Sequence, residues 1–340
     1  MQKAMPTWLE NSDRRFSWLG PVRMCIMAFI AFGYASTMPR GPGEAEYLNL
    51  FGYDPSWYGI SLIFMMSGFL ALRSLGKHGS GAKLLLSRAV RNLPVLALFA
   101  AIVIFVFYPL FGAPPADGSS RAGQHFEYFL KVVSCYNPNA ITPGLLDGAL
   151  YDCIIQGGLW TFRWGATAYL VTAFVWAIGG LRNRQIILAA FVGALILCCA
   201  LIAYNISHPS ILQDFMITGL RLVWPFLLGM CAYAYRDRLP RSYIVPLALI
   251  AAAMVQFYFL PWTPFIEVCA SIALGYLVFL ICTSTKPAPK SIIALPDLSL
   301  GLYVFNWPAA QITLLLLPTL SPLGLFAIAF PVTIAAALAL

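Results

Sequence analysis

Apolar residues in this chain gather in long stretches broken by short polar links, and no stretch alternates apolar and polar positions for long. A bilayer core requires about 20 apolar residues per helix. Ten stretches meet or approach that length: 20–38, 57–75, 93–111, 158–181, 185–204, 217–235, 243–261, 265–283, 298–319 and 321–340. The links carry proline, glycine or charge, as in Pro261-Trp-Thr-Pro264 and Lys286-Pro-Ala-Pro-Lys290. Such links end helices because proline removes an amide donor and glycine loosens the backbone. One link, 112–157, is long and holds Pro114, Pro115, Pro138 and Pro143. The pattern predicts an all-α, polytopic membrane bundle of about ten spans, forming a single domain over 1–340. No internal repeat marks two similar halves, which gives a two-half transporter little support.

Composition sharpens the exclusion. Of 340 residues, 60% are apolar and only 10% are charged, against roughly half and about a quarter in soluble domains. Such a chain cannot cover a water-facing surface. A porin-like barrel would alternate apolar and polar residues in short pieces.

Charge orients the bundle. With the N-terminal segment 1–19 in the cytoplasm, fifteen basic residues between Lys3 and Lys290 fall in cytoplasmic segments. Only Arg40, Arg121 and Lys131 fall outside, where Glu44, Glu46, Asp54, Asp117, Glu127, Asp147, Asp152 and Asp214 also lie. Basic loops stay on the cytoplasmic side of a membrane. The expected site is therefore a bacterial inner membrane, with both termini cytoplasmic and 112–157 outside. The net charge of +8 suits an anionic leaflet and requires no nucleic acid. Membrane lipids are the expected partners.

The eight cysteines have no zinc spacing. Six sit in apolar runs as small hydrophobes. Cys135 and Cys153 share the long loop and are able to pair if it faces an oxidising space. His78, His125 and His208 fall in loops, so neither a metal cluster nor a Ser/His/Asp triad can be assembled inside the bundle.

Charges within spans are costly and mark functional candidates. Arg23 and Tyr34 are eleven residues apart in the first span, about 20° apart around the helix and ~16 Å along it. They share a face that either lines the bundle interior or lets Arg23 snorkel to lipid phosphates. Arg163 lies between Trp160 and Trp164, placed for arginine–aromatic stacking or for anchoring in an aromatic belt. Arg221 and Glu267 open their spans near the outer surface, where each can reach water. Arg88-x-x-Arg91-x-x-Pro94 puts two arginines a helical turn apart at a cytoplasmic interface, a spacing that suits phosphate or plain topological anchoring.

These pieces together resemble the membrane acyltransferase type 3 family. The first span is similar to the family's Arg-x10-His helix, with Arg23 and Tyr34 at the two positions. Ser61 to Leu70, ending Ser67-Gly-Phe-Leu70, resembles its "FFxLSGFL" segment, and Arg88-x-x-Arg91-x-x-Pro94 its cytoplasmic "RxxRixP" loop. Leu159-Trp-Thr161 resembles the start of "slWTLxxE". Phe226-Leu-Leu-Gly229 with Tyr233-x-Tyr-Arg-Asp237 resembles "FlxGxxxY.yrd". Asp297-x-Ser299-x-Gly-x-Tyr303 to Gln311 resembles "DxSYGxYxxxxPxQQ". The resemblance implies ten helices and transfer of an acyl group, from acyl-CoA, to a sugar or related acceptor. It implies a reaction centre at Arg23, Tyr34 and Asn306. Arg88, Arg91, Trp160, Arg163, Trp164 and Tyr303 become candidate binding residues.

The departures change that picture. The family's histidine position holds Tyr34, its glutamate position falls at about Gly165, and a second histidine is matched by Asn306. Tyrosine, with a reference pKa of ~10, is a poor base at neutral pH. A general acid–base group contributes about 10²–10⁴-fold. Loss of every such group implies a degenerate member serving as a structural or accessory subunit of a membrane complex. The alternative is an active transferase in which Tyr34 and Arg23 hold the acceptor and acyl-CoA docks at Arg88 and Arg91. A lipid or small-solute carrier using the vacated cavity is a further expectation. No cofactor is required otherwise, and bound lipids are expected. Tyr34 lies too far along the axis from Arg23 for direct contact, so Asn306 or water is the expected partner of its hydroxyl.

Overall fold

A computed structural model describes residues 16–42, 49–113, 120–260, 264–284 and 286–339, without the side chains of Ile206 and Pro264. Lys3, Arg14, Arg15, Glu44, Glu46, Asp117, the Pro114-Pro115 pair and most of the Pro261–Pro264 link lie outside the described residues.

The described chain is helical, with two isolated bridges, Leu50–Tyr53 and Gly112–Leu145, in place of any strand. In order the helices are α1 Leu19–Thr37, α2 Pro55–His78, α3 Gly81–Ile102, α4 Tyr108–Phe111, α5 Ala122–Val133, α6 Trp160–Ala177, α7 Arg184–Ser207, α8 Ile211–Ala234, α9 Ile244–Phe259, α10 Pro264–Cys282, α11 Lys290–Ile293, α12 Ser299–Leu316 and α13 Pro322–Leu338. Six stretches are long and apolar enough to cross a membrane: Leu19–Arg40, Pro55–His78, Gly81–Phe111, Arg184–Asn205, Ile211–Ala234 and Phe265–Cys282. Helices α9 and α13 are apolar but shorter. Helices α6 and α12 are diluted by polar side chains, among them Arg163, Asn306 and Gln311.

Local chemistry sets these boundaries. Asp54 caps α2 by accepting from the Ser56 amide at 2.8 Å, with Pro55 at the first helical position. Gly79 ends α2 in the left-handed region at φ 62°, a conformation open to glycine without penalty. Asn183, Ser210 and Ser321 cap α7, α8 and α13 through their side chains. Such caps satisfy amide donors that a helix start leaves unpaired.

The third helix departs from expectation. Read as 93–111, it starts twelve residues earlier at Gly81, with Ser80 as its cap and Pro94 inside it. Arg88 and Arg91 therefore ride on a helix rather than in a loop. Hydropathy misses that segment because Lys83, Arg88 and Arg91 lower its mean, although hydrogen bonding carries it on. Past Ile102 the turn widens into a π-helical stretch, Val103–Phe107, that leads into α4. Within the long loop, α5 packs back against α3 through Tyr128 and Val132.

Helix α2 is central, buried along most of its length, and it packs most extensively on α8. A Cβ on Gly68 would lie 1.9 Å from the Phe226 carbonyl oxygen, and one on Gly229 1.8 Å from that of Met65. The two backbones touch because neither residue has a side chain, the small-residue contact by which helices associate in lipid.

The links sort to two ends. At one end Trp18 Nε1 donates to the Lys286 carbonyl (2.9 Å), the Ala288 amide donates to Ser17 Oγ (3.0 Å), and Arg73 and Arg184 lie over Phe16 and Tyr235. At the opposite end are Tyr53, Asp54, Trp57, Arg221 and Glu267.

There Glu267 does not reach water, whereas the Arg221 side chain is still 18% exposed. Glu267 is 2% exposed and accepts a two-pronged bond from the Arg221 guanidinium and another from Trp57 Nε1 (2.7 Å). Arg221 also lies 4.6 Å from the ring centres of Tyr53 and Trp57. The two charges come from different helices, and Arg221 supplies the counter-charge that lets Glu267 stay dry. Cys135 and Cys153 are free thiols, as are the other six cysteines.

Candidate functional site

At the basic end three helices meet on one carboxylate. Asp297, just before α12, pairs with Arg23 of α1 at 2.8 Å and with Arg91 of α3 at 3.1 Å. It also accepts from Ser299 Oγ at 2.6 Å, and Arg91 donates to the same oxygen at 3.2 Å. Burial raises the Asp297 pKa, but the Ser299 bonds and the two guanidiniums outweigh it and hold the group below the ordinary carboxylate range. Arg88, one turn before Arg91, lies 5.0 Å from the ring centre of Tyr169. The Nε atoms of Arg23 and Arg88 are buried without a hydrogen-bond partner.

These arginines line a cavity of about 370 Å³ between α1, α2, α3, α6 and α12. Its walls are largely apolar, including Met27, Ile63, Phe64 and Leu85, and it reaches Thr161, Gly165 and Tyr303. A Cβ on Gly165 would meet nothing within 4 Å, so the missing side chain leaves open space rather than a filled wall. A cationic end and an apolar interior suit an anionic ligand with an apolar tail.

Beyond Tyr303 the cavity gives way to a closed knot. Tyr34 is buried, and its hydroxyl and that of Tyr303 both converge on Gly158. The Tyr303 hydroxyl donates to the Gly158 carbonyl at 2.8 Å and sits 2.7 Å from Thr161 Oγ1. Tyr303, rather than Asn306, is therefore the polar side chain beside the Tyr34 hydroxyl. The tyrosine tips meet because α12 and the segment before α6 both press on α1. Asn306 instead turns back along its own helix, donating to the Tyr303 carbonyl at 3.1 Å, and its Oδ1 is buried without a partner.

That segment, residues 151–159, runs along α12. Gln311 Nε2 donates to the Tyr151 carbonyl (2.7 Å), and Gln156 Nε2 donates to the carbonyls of Tyr303 (3.1 Å) and Val304 (3.3 Å). Gln156 Oε1 in turn accepts from the amides of Gly158 and Leu159. A Cβ on Gly157 would strike the Trp307 ring and one on Gly158 would sit 2.9 Å from the Tyr34 hydroxyl. Trp307 packs edge-on to both Tyr34 and Tyr151. Asp54 acts electrostatically on Tyr34 and Tyr151, and burial pushes its own carboxyl above the ordinary range, with the Ser56 bonds pulling back.

The candidate residues thus divide. Arg23, Arg88, Arg91 and Tyr303 line one cavity, and Tyr34 is joined to it through Tyr303. Trp160, Arg163 and Trp164 lie elsewhere. Trp160 stacks on Trp57 with ring centres 6.3 Å apart, and Trp164 packs on Phe215. Arg163 lies over Tyr136 and Phe215, at 5.5 and 5.4 Å, rather than between its neighbouring tryptophans. Asp297, Thr161, Gln156 and Asp54 escape a reading for charges inside spans because they stand at helix starts or in links. Asp297 and Thr161 do carry a signal, as members of the Asp297–Gln311 and Leu159–Thr161 motifs. Among the described residues no group of three or more His, Cys, Asp or Glu could hold a metal ion.

An all-helical membrane bundle with an arginine-lined internal cavity defines the class of protein. The family model for the acyltransferase domain of the type 3 membrane acyltransferases matches residues 56–340, and the chain belongs to that family. The match begins within α2, so α1 with Arg23 and Tyr34 precedes it. No curated protein and no solved structure matches the chain.

Proposed function

We propose that this acyltransferase-family membrane protein keeps the family's binding cavity, has lost transfer chemistry, and serves as an accessory subunit of a membrane complex. The observation that carries the proposal is the closed knot. The positions matching the family's proton-handling residues are Tyr34, Gly165 and Asn306. The first is buried against Tyr303 and Gly158, the second offers only space, and the third bonds to its own helix. In this reading all ten long helices cross a bacterial inner membrane with both termini in the cytoplasm. The basic end, with Arg88 and Arg91, then faces the cytoplasm.

The retained arginine cavity favours a second reading, an active transferase that takes an acyl group from acyl-CoA docked at Arg88 and Arg91 to an outer sugar or lipid-linked acceptor held by Tyr34 and Arg23. Purified protein and labelled acetyl-CoA separate the two. The accessory role expects binding that weakens in Arg91→Ala and no label on any acceptor. Label transfer that is lost in Arg23→Ala overturns it. Gentle extraction followed by native mass measurement is expected to find the chain inside a larger assembly. Tyr34→His alone is expected to restore no transfer, because groups that act as a unit are strongly non-additive. Robust turnover by that variant would refute the degenerate reading.

A further inference from the structure

A second cavity, of about 420 Å³, lies at the basic end on the far side of α2 from the arginine cavity, between α2, α7, α8 and α10. Met65, Phe69, Phe191, Ile272, Val278 and Phe279 form most of its wall. Its size falls within the roughly 300–1,000 Å³ range of ligand pockets. Water gains little against its inner wall, because a water needs two to four polar partners and the polar side chains lie at the rim, with Arg238 and Tyr235. Left empty, its apolar wall would forfeit the contacts that an apolar occupant entering from the rim supplies. The occupant must therefore be apolar.

The rim supplies the second half of the argument. Arg238 is exposed and lines the cavity beside Tyr235, and the Arg184 guanidinium lies 5.0 Å from the centre of the Tyr235 ring. The one acidic residue in that link, Asp237, sits 3.9 Å from Arg236. An apolar chamber with a cationic rim between membrane helices matches one molecule that a bilayer supplies in quantity. We propose that this cavity is a binding site for an anionic phospholipid, with an acyl chain inside and the phosphate headgroup at Arg238. Basic pockets between membrane helices hold anionic headgroups in this way. The site is separate from the arginine cavity, and it stands whether or not the protein transfers acyl groups.

The test uses the full-length protein in detergent with phosphatidylglycerol carrying a photoreactive diazirine at the end of one acyl chain, and the matching phosphatidylcholine. Phosphatidylglycerol is expected to label peptides holding Phe191, Ile272 or Val278. Arg238→Gln, an exposed position, is expected to lower that labelling about fivefold, towards the phosphatidylcholine level. Label confined to outward-facing residues such as Leu247 and Val255 overturns the proposal. So does equal labelling of the wild-type cavity by the two lipids.

Discussion

Asp297 shows how one side chain holds three helices. Its carboxylate meets Arg23 from α1 and Arg91 from α3 while also bonding to Ser299. Its folded pKa lies below the unfolded value of ~3.9. The stabilisation is therefore full above the unfolded value and is lost as pH falls through the lower, folded one. Thermal unfolding in detergent, followed downward from about pH 6, is expected to show a loss of stability below about pH 4 that Asp297→Asn lacks. Glu267 makes the opposite case, a charge that reaches no water. Glu267→Gln leaves Arg221 without its counter-charge and is expected to destabilise by about 3–5 kcal/mol in a denaturation series. A neutral effect there would mean that Arg221 finds solvent after all.

At the scale of elements, the segment 151–159 and α3 are the two pieces that depart most from a plain span-and-loop layout. The segment enters the bundle because Gln156 and Gln311 satisfy backbone groups that would otherwise be buried bare. Gln156→Ala removes that support, and each orphaned buried group costs about 1–3 kcal/mol. Faster amide hydrogen exchange across 151–159 is the expected outcome, with the α2–α8 core unchanged. Unaltered exchange would assign the segment's position to the Trp307 contact with Gly157 instead. Helix α3 carries Arg88 and Arg91 into the bundle, and its start at Gly81 is what lets them face α12 and α6 rather than the solvent.

For the whole molecule, the links alternate between a basic and an acidic end, and the two ends differ in chemistry as well as charge. The basic end opens on the arginine cavity and the lipid-sized chamber, whereas the acidic end is closed by aromatic stacking and the Arg221–Glu267 pair. If the acidic end faces outward, a cysteine at position 121, in a variant lacking Cys135 and Cys153, is expected to react with a membrane-impermeant reagent in intact cells. Reaction only after the inner face is opened would invert the topology.

The sequence by itself determined the class and the positions of the long helices, though not α5 in the long link, because hydrophobic run length and basic asymmetry are local properties that need no partner. Among the described residues ten long helices overlap the ten apolar stretches, six of them long and apolar enough to cross a membrane, and the spaced motifs from Ser61 to Gln311 fall within the matched family region. The start of α3 was hidden because charged residues lower its hydropathy while leaving its hydrogen bonding intact. Partner choice was hidden for a different reason. Helical geometry places Arg23 and Tyr34 on one face, but it cannot say that Asp297 receives the first and Tyr303 the second. Nor can it say that Glu267 is neutralised by Arg221, which stands 46 residues earlier in the chain. Those pairings depend on which helices the backbone contact of Gly68 and Gly229 brings together. They also depend on a link that folds inward because its buried amides and carbonyls find glutamines there, and both are decided in three dimensions.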